Sequence, residues 1–183
     1  MDFSNFIAGV SDFRRKEGQR YSFSSVMWLI FSAVGCGYVS SRNISSFGAI
    51  HFKFFQHKFG WKSHPSYYVI HTFLSKLNSE EFCKTFNVLC SQEASSFPKD
   101  CWLSGDGQTL CSTVSNANNS NQNYVSLVSL FCKEMGLTVA ISSYENKEKN
   151  VGESSVLLAL VDNYFAEKGL TFTMDALHCQ KKL

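Results

Sequence analysis

The sequence predicts an α/β protein whose first half is helical and whose second half combines strands with one helix. Three observations carry this. Apolar residues recur at helical spacing to about residue 90, while after Pro98 they gather in short runs bounded by turn residues. A single further helical run, over 153–168, interrupts those strands, giving the order β, β, β, α, β. The expected division is therefore a helical region over 1–98 and an α/β region over 99–183, with 91–100 as a short linker. At 44% hydrophobic and 17% charged, with 17 Phe, the chain has the composition to build a core; two Pro and 11 Gly exclude collagen-like and Pro-rich linker classes.

Each element follows from its pattern. Phe23, Val26, Met27, Ile30, Phe31 and Val34 mark one helical face, ended by Gly35 and Gly37. A second helix is expected over about 41–58, with Ile44, Phe47, Ile50 and Phe54 inward, Arg42, Lys53 and Lys58 outward, and Gly60 as its stop. His64 and Pro65 open a third segment whose face is Ile70, Phe73, Leu74 and Leu77. Asn78 followed by Glu81 reads as a capping box for a fourth helix with face Phe82, Phe86, Leu89 and Cys90. Residues 102–107 read as a short strand running into a turn, and the Ser/Asn-rich stretch 112–123 as a loop. Strands over 124–132 and 137–143, joined by a turn at 133–136, form an expected β-hairpin. After the charged loop 145–152, Val156, Leu157, Leu160, Val161 and Phe165 fall at helical spacing, and Gly169 caps that helix. A last strand, 170–175, ends on an acid.

The net charge of +2 hides a split: residues 1–99 carry 11 Lys/Arg against 6 Asp/Glu, and residues 100–183 carry 6 against 9. Such an asymmetry fits a DNA-contacting module followed by one that uses acids or metal. The seven Cys form no CxxC pair and no secretory signal precedes them, so they read as reduced thiols acting as small hydrophobes rather than as a zinc or disulfide framework. The uncharged stretch between Arg20 and Arg42 is diluted by serines, so it reads as a buried helix and not a membrane span.

Two acids stand where strands are expected to end, Asp106 and Asp175. Carboxylates there can converge at one pole of a sheet and bind Mg²⁺ or Mn²⁺. The same residues also fit a turn position and a helix N-cap. Arg14, Arg15, Lys16 and Arg20 form a basic cluster suited to phosphate contacts or to a solvated arm, and Lys53, His57, Lys58 and Lys62 form a second basic face. His178 follows Asp175 closely, His57, His64 and His71 are interrupted by Pro65, and Trp28 and Trp61 read as core anchors.

Longer motifs narrow these choices. Leu103-Ser104-Gly105-Asp106-Gly107-Gln108-Thr109-Leu110 and Thr173-Met174-Asp175-Ala176-Leu177-His178-Cys179-Gln180-Lys181 resemble the two acid-bearing blocks of ISAs1-type (H-repeat-associated) DDE transposases. The run from Asp12 to Tyr21 and the segment Lys62-Ser63-His64-Pro65-Ser66 are similar to the helical region that precedes the catalytic domain in that family. The resemblance implies a helical associated domain followed by the N-terminal part of an RNase H-like catalytic domain. It implies Asp106 and Asp175 as catalytic metal ligands, Mg²⁺ or Mn²⁺ as cofactor, transposon ends with inverted repeats as DNA partner, and a bacterial cytoplasmic protein. A further copy of the chain or a full-length relative would be its protein partner. The family's third acid, a Glu, lies well beyond the second; Glu153 and Glu167 precede Asp175 and read as helix-end residues. Where the family has Lys and Arg in its first block this chain has Gln108 and Cys111, and Lys149-Asn150-Val151 stands in place of an acid-bearing triplet. The expectation is a truncated copy without turnover, the alternative a non-catalytic DNA-binding or regulatory fragment.

Overall fold

A computed structural model of the chain describes residues 3–15, 17, 19–93, 101–110, 113, 124–145, 153–165 and 170–174. It is a mixed α/β structure with helices first and a four-stranded sheet after them. The chain divides into two compact units, Asp2–Asn78 and Ser79–Leu183.

The first unit contains α1 (Phe3–Ala8), α2 (Phe23–Gly35), α3 (Ser41–Ile50), α4 (Phe52–Phe59) and α5 (Tyr67–Lys76). Serine hydroxyls start two of these helices: Ser22 accepts from the Ser25 amide at 3.2 Å and Ser40 from the Asn43 amide at 3.1 Å. The expected 41–58 helix is in fact two, because His51 leaves helical geometry at φ −97°, ψ 22°. That break turns Phe55 inward in place of Phe54, which is 57% exposed. Gly60 ends α4 in the left-handed region at φ 68°, where a side chain would be strained. In α2 the buried stripe is Val26, Leu29, Ile30 and Ala33. Phe31 lies outside that stripe and packs edge-on against Phe3 and Phe6 of α1. Trp61 is buried and stacks on Phe55 at 5.1 Å, while its indole N–H donates to Ser25 Oγ at 3.2 Å. Trp28 is half-buried, with the Lys58 ammonium 4.1 Å from its ring centre.

The second unit contains α6 (Ser79–Glu93), β1 (Trp102–Thr109), β2 (Val125–Cys132), β3 (Leu137–Glu145), α7 (Glu153–Phe165) and β4 (Thr171–Met174). The fourth helix of the sequence reading is thus grouped with the sheet. The strand order is β3-β2-β1-β4, antiparallel except for the parallel β1–β4 pair. The β2–β3 hairpin turns through Gly136 at φ 64°, a conformation that favours glycine. A bulge between Leu130 and Phe131 in the β2–β3 pairing lets the consecutive residues Val139 and Ala140 both be buried. One face of the sheet packs on α7 through Leu103, Val128, Leu130, Leu157, Leu160 and Phe165. Full burial of each such side chain stabilises by about 1.5–3 kcal/mol. Among the described residues, no helix is long and apolar enough to cross a membrane.

Candidate functional site

The Gly105-Asp106-Gly107 block is not a turn at a strand end. It lies inside β1, which continues to Thr109. Its glycines do a different job from the one read in the sequence. A Cβ on Gly105 would stand 3.0 Å from Leu157 and from Phe172, and one on Gly107 would overlap the Glu153 carboxyl. Both missing side chains belong to the face that α7 covers, so the helix can lie close against the strand. Side chains alternate along a strand. Asp106, between the two glycines, is therefore on the opposite face, where it is exposed and paired in register with Ser129 of β2. Ser104 shares that face, and its parallel partner is Thr173.

This placement decides which acids can act together. Glu153, at the start of α7, belongs to the Gly107 side of the sheet and Asp106 to the other. The β1–β4 register ends with Gly105 opposite Met174. Asp175 is the next residue in the chain but lies outside the described residues, as do Lys16 and His178. An exposed carboxylate such as that of Asp106 is a hard oxygen donor, suited to a Mg²⁺ or Mn²⁺ ion that keeps several waters. The donor set on the described part of this face thus fits such an ion as one ligand among several.

The basic cluster of the first unit separates into two kinds of arginine. The Arg14 guanidinium is turned inward. Its Nε and Nη2 donate to the two Asp12 carboxylate oxygens at 2.8 and 2.7 Å, and its Nη1 donates to the Tyr21 carbonyl at 2.8 Å. It also lies over the Phe23 and Phe73 rings, 5.8 and 5.5 Å from their centres. The hydrogen bonds from Arg14 hold the Asp12 carboxyl below its usual range. Arg15 and Arg20 are exposed. Arg20, Tyr21, His64 and Tyr68 are among the residues lining a cleft of about 370 Å³ next to this cluster. Lys53, His57, Lys58 and Lys62 are exposed too, with Lys58 drawn over Trp28. The bidentate pairing of Asp12 with Arg14 is two residues apart in sequence, and that spacing was the available signal that one arginine of the cluster is structural.

A family model described as DDE_Tnp_1-associated matches residues 4–89, from α1 through most of α6. This part of the chain is similar to a DDE transposase-associated region. No curated protein and no solved structure matches the chain.

Proposed function

We propose that this chain combines the DNA-contacting helical region of an ISAs1-type transposase with the opening strands of its RNase H-like catalytic domain, Asp106 and Asp175 serving as two of the acids that bind Mg²⁺ or Mn²⁺. The observation that carries this reading is the match of residues 4–89 to a DDE transposase-associated region. The sheet supports it in turn. Three antiparallel strands, a helix, and a fourth strand parallel to the first form the arrangement that the reading requires. Asp175 enters the proposal by its place in the sequence, one residue after Met174, whose register partner is Gly105. Neighbouring strands lie about 4.8 Å apart, a spacing at which carboxylates on two adjacent strands can share a divalent ion. Bound there, such an ion neutralises charge on a DNA phosphate. The contribution of the chain itself is to hold that phosphate at the exposed face of β1. The helical unit supplies phosphate contacts through Arg15, Lys16 and Arg20, with Arg14 as the residue that shapes their loop.

Two measurements test the reading. In a Mn²⁺ titration followed by electron paramagnetic resonance, Asp106→Asn is expected to weaken binding at least about tenfold, while Glu153→Gln leaves it unchanged. Equal binding by wild type and Asp106→Asn rules out the acid assignment. In a duplex-DNA binding assay, affinity is expected to fall steeply with salt, and Arg15→Ala or Arg20→Ala each lowers the salt slope by about one. Absence of DNA affinity at low salt rules out the DNA-contacting role.

A further inference from the structure

Cys101 and Cys132 are both fully buried, yet both point their sulfurs at the same exposed carboxylate. Cys101 Sγ lies 3.3 Å and Cys132 Sγ 3.7 Å from Glu134 Oε2, and the three donor atoms all lie within 4.8 Å of one another. Zinc–sulfur and zinc–oxygen bonds of about 2.3 and 2.0 Å place neighbouring ligand atoms of a tetrahedral site about 3.5–3.8 Å apart. The two sulfur–oxygen distances of the cluster, 3.3 and 3.7 Å, bracket the sulfur–oxygen spacing of such a site.

The ligands are also held on fixed backbone. The Cys101 carbonyl accepts from the Thr171 amide at 3.1 Å, and the Cys132 carbonyl accepts from the Gly136 amide at 2.9 Å. Glu134 Oε2 accepts from the Trp102 amide at 3.0 Å. An N–H of this kind, bonded to a ligating carboxylate, is the outer-shell support that metal sites use to orient their ligands.

We propose that Cys101, Cys132 and Glu134 form a site for a thiophilic divalent cation of the zinc class, with a fourth position taken by water. The two thiols lose their protons to solvent as the cation enters, and their sulfurs become its ligands. Two thiolates make the site soft, so Mg²⁺ and Mn²⁺ are excluded from it. It is distinct from the Asp106 face in position and in ligand chemistry. Its effect is to clamp the start of β1 to the β2–β3 turn. The sequence hides the site because its ligands are contributed by separate segments: Cys101 is 31 residues from Cys132, and the pair comes together only through the antiparallel register of β1 and β2.

The test is a Co²⁺ titration of the full chain, reduced with a non-chelating phosphine and followed by absorption. One equivalent is expected to give a thiolate-to-metal charge-transfer band with tetrahedral visible bands, both bleached by Zn²⁺. Cys132→Ser is expected to abolish the band. Glu134→Gln, a surface change expected to leave folding intact, retains thiolate absorption with affinity at least about tenfold weaker. Cys36→Ser, at an exposed thiol outside the cluster, is expected to change nothing. Zn²⁺ should raise the thermal midpoint of wild type more than that of Glu134→Gln. The proposal is overturned by the absence of a charge-transfer band in wild type, by a band undiminished in Cys132→Ser, or by equal affinity in wild type and Glu134→Gln.

Discussion

Gly105 and Gly107 differ in what stands over them, and so in what a methyl group would cost. At Gly105 the new Cβ meets Leu157, which is fully buried and has little room to yield, and Phe172. Gly105→Ala is expected to destabilise the second unit by about 1–3 kcal/mol, as overpacking of a filled core does. At Gly107 the obstacle is the Glu153 carboxyl, the far end of a flexible and half-exposed side chain. Gly107→Ala should therefore cost less than Gly105→Ala when both are compared by urea denaturation. Asp12 gives a pH-dependent prediction in the first unit. Its carboxyl is held below 3.8 by Arg14, so the ionised form is the one that folding favours. The stabilisation is present above the unfolded pKa and disappears as pH falls through the lower, folded value. Asp12→Asn should accordingly lower the thermal midpoint near neutrality, with the difference closing in acid as the Asp12 carboxyl takes up its proton. The pair is partly exposed, so the effect is small.

The association of α6 with the sheet depends on a side chain that the helical pattern does not single out. Asn87 is buried. Its Nδ2 donates to the Ile141 carbonyl and its Oδ1 accepts from the Ile141 amide, both at 2.8 Å. Ile141 lies on β3, an edge strand, and the Asn87 amide pairs with it as a further strand would. Asn87→Ala removes both bonds and leaves two backbone groups without their partner, an expected loss of about 1–3 kcal/mol in denaturant unfolding. Faster hydrogen exchange at the Ile141 amide would locate the effect, and unchanged exchange there would contradict it. The pattern of apolar residues did mark the helix, through Phe82, Phe86, Leu89 and Cys90, but period alone cannot say which neighbour a helix chooses. The same limit explains the other differences. An apolar residue on α2 has two hydrophobic destinations, so Phe31 leaves the core stripe for the α1 phenylalanines. A non-helical residue such as His51 carries no breaker signal, so α3 and α4 read as one helix. Two glycines spaced two apart read as a turn, whereas on a strand that spacing puts both on one face and signals the close approach of another element. The hairpin, the α7 helix and the β, β, β, α, β order were legible because strand and helix periods there are uninterrupted.

At the scale of the whole chain, the boundary between the compact units sharpens the charge asymmetry. Residues 2–78 hold nine Lys/Arg against three Asp/Glu, and residues 79–183 hold eight against twelve. The transfer of α6, with Glu80 and Glu81, to the second unit makes the first more basic than a division at Pro98 does. Each unit also has its own buried core: Leu29, Ile44, Ile70 and Phe73 in one, Leu103, Leu130, Leu157 and Phe165 in the other. Separate cores predict separate cooperative transitions, so a single unfolding free energy does not describe the chain. The tryptophans make this measurable, because Trp28 and Trp61 lie in the first unit and Trp102 in the second. In a Trp102→Phe background, tryptophan fluorescence reports the first unit alone. Leu103→Ala should there lower the stability of the second unit by about 2–5 kcal/mol, read from the sheet signal in circular dichroism. The fluorescence midpoint should stay in place. Leu29→Ala should do the reverse, shifting the fluorescence midpoint and sparing the sheet transition. If both substitutions move both signals together, the two cores unfold as one, and the modular reading of the chain is wrong.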